Sequence, residues 1–557
     1  MAPPTFLQRV SFTSKHVFCH IFLYWIPRAV SFFILKLPKF LWGLWKSPNK
    51  RNYLARDNLF HKEREILIVA SETDATARRR FGLDRGAAPA DGVTYFNTER
   101  YEFPLYNGHL QTILGGLRPN YAATDDVTSS RRHGKSHAHA AAPKTYDYTK
   151  VYKRETVKGS DGQQLNLDFL FPPGFERVVD AADAAVPVNG HVRGVLFVLP
   201  GLLNSSTSNY LFHFARMAAR QHYVVCALNW RGMGSKPLEV PRLFSATYTD
   251  DIRHVLDSYF FTPPAAEAVA PPRCHAALLR HFGVAVSAEA PIIGVGFSLG
   301  GINLIKYVAE QEVRAQEACR DAGPCATAAE RRARHRNTPL AAVLCVTSPF
   351  DLNGSDVCSG SWQYTQIYEK AFALGLRKYA HHNREMLMQL PNVDTRYFSF
   401  DGPREGDGAA AGAEAGARRH LTIKDIRSIR QFDAYINASH NGFDSPEAYY
   451  AAANSLPWLE RMGAAAAGAP INDTFVCCIS NSDDPLCGPP IDTARWRRAV
   501  AANPHVVYIE TPAGGHLGYV GGVAAEWRGE AGPSDLLLLH LADSFCLRRA
   551  QQKSKSA

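Results

Sequence analysis

The sequence predicts an α/β architecture, a mostly parallel central sheet wrapped by helices. Three observations carry that expectation. Six short apolar runs recur along the chain, at 194–199, 223–228, 291–297, 340–346, 475–479 and 506–509. They lack polar alternation, as strands covered on both faces do. Helical patterns separate them, and strands alternating with helices belong to this layering. No internal repeat is visible.

The bulk properties are consistent with it. The 557 residues are 46% hydrophobic and 20% charged, as in an ordinary globular protein, and suffice for one large domain or several. The formal charge of +10 raises the question of an anionic partner. Its basic residues collect near the amino terminus and in runs such as Arg331-Arg332-Ala333-Arg334-His335-Arg336, without interleaved aromatics or a nucleic-acid motif. They read as solvated surface, and no nucleic-acid partner is expected. The eleven cysteines have no framework spacing. Cys345, Cys477 and Cys478 fall in core runs and read as buried, reduced thiols, while Cys319 and Cys325 lack the paired spacing of a zinc site. A reducing compartment, no metal and no cofactor are expected.

The amino-terminal 50 residues form an apolar and basic leader. Phe18, Ile21, Phe22, Trp25, Phe32, Phe33, Leu41, Trp42 and Trp45 are interrupted by Arg28, Lys36 and Lys39. The longest stretch free of acids, lysine and arginine is 17–27, short of the ~20 residues that cross a bilayer. Cations mixed with large aromatics suit a segment lying in the membrane interface; a tilted spanning helix and a helix docked on the protein are the other readings. Residues 51–94 read as a linker, 95–548 as one catalytic domain and 549–557 as a tail. Segments at about 121–145, 262–290, 311–338 and 402–419 are Ala-, charge- or Gly-rich and read as surface insertions, with too little apolar surface to offset ordering.

Chemistry concentrates at Gly294-Val295-Gly296-Phe297-Ser298-Leu299-Gly300-Gly301. An apolar strand precedes this Gly-x-Ser-x-Gly, and Ile302, Ile305, Val308 and Ala309 follow at helical spacing, the strand–turn–helix context the motif requires. The turn is so tight that side chains two before and two after the serine would collide. It lifts the Ser298 hydroxyl above the sheet at the positive end of a helix. A serine hydroxyl needs a base held by a third group. His516, in the small-residue loop Gly514-Gly515-His516-Leu517-Gly518 after a strand, is the candidate base. An acid comes from the loop Ser480-Asn481-Ser482-Asp483-Asp484-Pro485, where Asp484 is favoured for holding the imidazole and Asp483 for capping or turn formation. The Leu299 amide and the Leu202 amide in Leu199-Pro200-Gly201-Leu202 are the candidate oxyanion donors, with a plain turn as the other reading of Pro200-Gly201.

Taken together, these stretches resemble the membrane-associated α/β-hydrolase-domain esterases and lipases. The likeness runs over about 100–520 and adds Gly108-His109-Leu110-Gln111-Thr112-Ile113, Asn229-Trp230-Arg231-Gly232, Ser348-Pro349-Phe350-Asp351-Leu352, Phe432-Asp433 and Tyr449-Tyr450. It implies the α/β-hydrolase fold, a triad of Ser298, Asp484 and His516, an amino-terminal membrane anchor, and substrates among acylglycerols, phospholipids and medium-chain fatty esters. It also leaves open an acyltransferase that passes the acyl group to an alcohol. A membrane-bound binding protein without catalysis is the third reading, against which the three intact residues argue. The expected partners are a lipid ester and a membrane surface, with no obligate protein partner and with the catalytic domain facing the cytosol, on an endomembrane such as the endoplasmic reticulum. The long Ala-rich insertions and the charged leader depart from the family and bear on lid geometry, substrate and mode of attachment.

Overall fold

A computed structural model describes residues 67–69, 76–83, 108–117, 151–173, 192–233, 236–260, eight positions between 275 and 290, 291–322, 327–352, 364–394, 396–401, 420–463, 470–487, 493–511, 513–520 and 530–556. The leader 1–50 and the segments 121–145 and 402–419 lie outside them.

Nine strands form one sheet: β1 (Leu67–Val69), β2 (Lys153–Lys158), β3 (Gln164–Leu170), β4 (Gly194–Leu199), β5 (Tyr223–Leu228), β6 (Ile292–Phe297), β7 (Leu340–Val346), β8 (Phe475–Asn481) and β9 (Val506–Thr511). Their spatial order is β1-β9-β8-β7-β6-β4-β5-β3-β2. The six central strands, β5 to β9 through β4, β6, β7 and β8, pair in parallel, and β1, β3 and β2 add antiparallel edges. These six are the apolar runs of the sequence, and β4, β5, β6, β7 and β9 are buried at every position.

Successive side chains of a strand face opposite ways, so the sheet feeds two cores. Val195, Phe197 and Leu199 of β4 join one, with α4 (Asp250–Tyr259), α5 (Leu299–Asp321), α9 (Ser455–Gly463) and α10 (Thr493–Ala502). Leu196 and Val198 join the other, with α1 (Thr76–Arg80), α3 (Asn209–Arg220) and α11 (Pro533–Ser556). Between them in sequence lie α2 (Gly108–Leu117), α6 (Ala328–His335), α7 (Glu369–His382) and α8 (Pro446–Ala453). Helices on both faces of a mostly parallel sheet, in this strand order, are the α/β-hydrolase fold.

Four segments differ from the sequence reading. The stretch read as linker contains β1, whose Leu67, Ile68 and Val69 register with Glu510, Ile509 and Tyr508 of β9, and α1, after which Phe81 packs on Phe545 at 5.7 Å. Three residues of edge pairing leave no periodicity to read. The stretch 311–338 is mostly helix. There α5 continues to Asp321, and buried Glu312 accepts the amides of Ile471 at 2.8 Å and Asn472 at 2.9 Å. A buried carboxylate substitutes for the apolar surface that the composition lacks, and Thr327 caps α6 through the Glu330 amide. Within 262–290, Leu278, Val284 and Val286 are buried in the core. The tail also belongs to a helix, since α11 reaches Ser556.

The Asn229-Trp230-Arg231-Gly232 run leaves β5 as a buried polar brace. The Arg231 guanidinium, with no exposed surface, bonds Asp251 at 2.5 Å and Asp161 at 2.8 Å and lies 4.6 Å from the Tyr248 ring centroid. Its removal strands two carboxylates, and Asp251 is almost fully buried. The Arg231→Leu variant is expected to lose about 3–5 kcal/mol in urea unfolding at pH 7; a loss below about 1 kcal/mol contradicts the brace.

Candidate active site

The site lies along one edge of the sheet because four loops leave the carboxyl ends of parallel strands there: after β4, β6, β8 and β9. Ligand sites of open α/β sheets form at this edge.

After β6 the chain turns at Ser298 with φ 51° and ψ −116°, a left-handed conformation that a side-chain-bearing residue holds only when its surroundings enforce it. Its amide donates to the Val346 carbonyl at 2.9 Å. A Cβ at Gly296 would lie 2.5 Å from the Gly301 nitrogen, which is the crowding expected of the turn. Gly300 is constrained differently: its Cβ would lie 2.5 Å from the Leu199 carbonyl oxygen of β4. The turn is thus pressed onto the neighbouring strand, and the 23-residue α5 begins directly after it.

The structure brings Ser298, His516 and Asp484 into one chain of hydrogen bonds. His516 Nε2 is 3.0 Å from Ser298 Oγ, and His516 Nδ1 is 3.0 Å and 3.2 Å from the two Asp484 oxygens. An ionised carboxylate only accepts, so the imidazole proton sits on Nδ1 and the Nε2 lone pair faces the serine. Asp484 Oδ1 also accepts the Leu486 amide at 2.8 Å and the Cys487 amide at 3.1 Å. Burial pushes its carboxyl up, but the His516 charge and hydrogen bond and the Leu486 amide outweigh that and hold it below the usual range.

Asp483 has the opposite environment. It accepts the Gly515 amide at 2.8 Å, which fits a turn-forming residue, while its other oxygen is buried without a partner among the described residues. Burial first, and then the neighbouring Asp484 charge, push its carboxyl up to about 7.

The two candidate oxyanion amides belong to the start of α5 and to the loop after β4. Leu299 follows Ser298, and Leu202 lines the same pocket. Gly201 lies against the elbow, since a Cβ there would be 3.3 Å from the Ser298 Cβ. Its amide donates to Tyr210 Oη at 2.8 Å and its carbonyl accepts Trp230 Nε1 at 3.0 Å. With Gly201 tied at both ends, the Leu202 amide is the next donor of that loop.

Several positioning residues are not evident from sequence. The His516 amide donates to Thr112 Oγ1 at 2.8 Å, and Gln111 holds Val520 through both backbone groups at 3.0 Å and 2.5 Å. A Cβ at Gly115 would lie 2.5 Å from the Gly518 Cα. Helix α2 therefore clamps the histidine loop from about 400 residues away, which a one-dimensional reading cannot reveal; the Gly108–Ile113 run marked the segment but not its task. His109 bonds Tyr368 Oη at 2.9 Å, and burial lowers its imidazole to about 4, so it is neutral at pH 7. Cys487, whose Sγ is 3.5 Å from His516 Nδ1, carried no sequence signal at all.

A cavity of about 360 Å³ opens in front of Ser298, within the range of small-molecule pockets. Leu202, Phe244, Ile302, Leu352, Phe372 and Leu486 give it apolar walls. On one wall Asp433 accepts from Tyr450 Oη and Asn437 Nδ2, both at 2.7 Å, and burial pushes its carboxyl up to about 6. That bond joins α8 to the 433–437 turn, and Tyr449 Oη accepts the Ala246 amide at 2.8 Å. These are the Phe432-Asp433 and Tyr449-Tyr450 runs, of which Asp433, Tyr449 and Tyr450 line the cavity. A second cavity of about 320 Å³ meets the other side of His516, with Thr112, Asn204, Ser208 and Asn209 on its walls.

The architecture is that of the α/β-hydrolase fold. The chain is similar to an embryogenesis-associated protein, EMB8, of Picea glauca, with 26% identity over 371 residues, 66% of this chain and 62% of that protein. It is 20% identical to the human phospholipase ABHD3 over 378 residues, 67% of this chain and 68% of the other. It is 22% identical to a monoacylglycerol lipase of Saccharomyces cerevisiae over 443 residues, 74% of each. No family model matches the chain. The fold is that of the α/β-hydrolases, and the relatives include a phospholipase and a monoacylglycerol lipase.

The two neighbouring aspartates are expected to separate cleanly. Asp484→Asn lowers the rate of ester hydrolysis about 10⁴-fold, by disturbing the imidazole tautomer, whereas Asp483→Asn stays within about tenfold. Asp483 also gives a pH signature. An unfolded Asp titrates near 3.8, so between there and about 7 the folded protein keeps a proton that the unfolded chain has lost, and stability falls as pH rises through that window. Asp483→Asn retains an acceptor for Gly515 and does not titrate. Its stability relative to wild type is expected to rise from pH 4 to 7 by up to about 1.4 kcal/mol per unit in urea unfolding. A flat difference contradicts the assignment.

Proposed function

We propose that this α/β-hydrolase cleaves lipid esters through an acyl-enzyme on Ser298. Among its relatives are a phospholipase and a monoacylglycerol lipase. The finer reading rests on one observation: the Ser298–His516–Asp484 relay stands at the mouth of a largely apolar cavity.

The acyl chain occupies that cavity and brings its ester carbonyl to Ser298. His516 takes the hydroxyl proton at Nε2 as the oxygen attacks, and Asp484 stabilises the imidazolium without taking its proton. The Leu299 and Leu202 amides hold the developing oxyanion. His516 returns the proton to the leaving alcohol, which departs on the side of the second cavity. Water, activated by the same imidazole, then releases the acid. The apolar cavity favours fatty acyl groups, and the human and yeast relatives are a phospholipase and a monoacylglycerol lipase. The apolar, basic leader at 1–50 holds the enzyme at a membrane surface where such substrates reside. Among the described residues no helix is long and apolar enough to cross a membrane.

The direct test is labelling with a fluorophosphonate, wild type against Ser298→Ala. Loss of the label, with a fall in kcat of about 10⁶-fold on a monoacylglycerol or phospholipid, is expected. Undiminished labelling of the alanine variant overturns the nucleophile. Removal of residues 1–50 is expected to shift the protein from vesicles of anionic phospholipid into the soluble fraction; unchanged partitioning contradicts the role of the leader.

A further inference from the structure

We infer that Asp484, Cys487 and His516 form an inhibitory site for a thiophilic divalent cation, with zinc the ion their donors match. A carboxylate oxygen, a thiol sulfur and an imidazole nitrogen lie within 4.8 Å of one another. Oxygen, nitrogen and sulfur donors together select a borderline-soft ion, and three protein ligands with one open position make a common zinc arrangement.

The separations agree with that coordination. Bond lengths of about 2.0–2.3 Å in a tetrahedral site place ligand atoms roughly 3.3–3.7 Å apart. His516 Nδ1 is 3.5 Å from Cys487 Sγ and 3.0–3.2 Å from the Asp484 oxygens. The remaining pair, Cys487 Sγ and an Asp484 oxygen, lies within 4.8 Å, and Cys487 is partly exposed on the wall of the large cavity, so the ion enters from there. The amides of Leu486 and Cys487 hold Asp484 Oδ1 and leave Oδ2 directed at the site, as outer-shell bonds do around ligating carboxylates.

Binding reverses the polarity of the imidazole. The thiol proton leaves to solvent as the Zn–S bond forms. Zinc takes the Nδ1 lone pair, so the imidazole proton moves from Nδ1 to Nε2 through solvent, and Asp484 becomes a ligand instead of an acceptor. Nε2–H then donates to Ser298 Oγ and has no lone pair to receive its proton. The cation is a reversible inhibitor and not a resident cofactor. The inhibition rests on the proposed triad; the binding does not.

Both are read on the full-length protein. Cobalt(II), a spectroscopic stand-in for zinc, is titrated into wild type, Ser298→Ala, Cys487→Ala and Cys319→Ala, and zinc inhibition is measured on the active proteins relative to each one's own metal-free rate, with reversal by a chelator. A thiolate-to-cobalt absorption band is expected in all but Cys487→Ala. Zinc sensitivity is expected to drop at least about tenfold in Cys487→Ala and to stay within about twofold in Cys319→Ala. No band in wild type, or one that survives in Cys487→Ala, overturns the metal site, whatever Ser298 does. A Cys487-dependent band with hydrolysis undiminished by zinc overturns the inhibition and, with it, the role given to Asp484 and His516.

Discussion

A left-handed backbone at a residue with a side chain costs of the order of 1–3 kcal/mol, and Ser298 holds one because the sheet leaves it no other path. Gly296 meets the start of α5, Gly300 presses on the Leu199 carbonyl of β4, and the Ser298 amide is bonded to Val346 of β7. Three adjacent parallel strands therefore fix the bend. The cost is local, whereas the restraint is spread through a core in which β4, β6 and β7 are buried along their whole length. A hydroxyl raised in this way cannot relax back into the sheet.

The other groups reach that hydroxyl through polar contacts, some local and some long-range, at the same sheet edge. Trp230 and Tyr210 fix the loop after β4 at Gly201, Thr112 and Gln111 fix the loop after β9, and the Leu486 and Cys487 amides fix the carboxylate after β8. Each contact is modest alone, at about 1 kcal/mol. Their geometric effect is larger, because the imidazole must keep one nitrogen on Asp484 and the other on Ser298 at once. Adjacent aspartates divide the work by environment: Asp484 is surrounded by donors, and Asp483 accepts the Gly515 amide, with no partner for its other oxygen among the described residues.

Where a residue's task is set by its immediate neighbours, the chain itself announced it. The six central strands were legible because uninterrupted Val, Ile, Leu and Phe runs have few alternatives, and the elbow because strand, Gly-x-Ser-x-Gly and helix are contiguous. Edge elements escaped: β1 is three residues of backbone pairing, and β2 alternates charged and partly exposed side chains. The 311–338 segment misled, since its composition is polar and its anchors are buried polar groups, among them Glu312, Gln311 and Thr338. Gly300 was assigned the right constraint for the wrong partner, as the obstruction comes from β4. The Thr112 hydroxyl and the Cys487 thiol were invisible, because their meaning depends wholly on where His516 is brought by the fold.

The central claim is that this arrangement turns one strained serine into a nucleophile that carries the acyl group. Acid quench within the first turnover of a chromogenic fatty ester, followed by peptide mass mapping, reads that intermediate directly. The account predicts a mass increase of one acyl group on Ser298, formed together with a burst of the alcohol product. Steady hydrolysis with no acylated peptide, or with the acyl group on another residue, contradicts it.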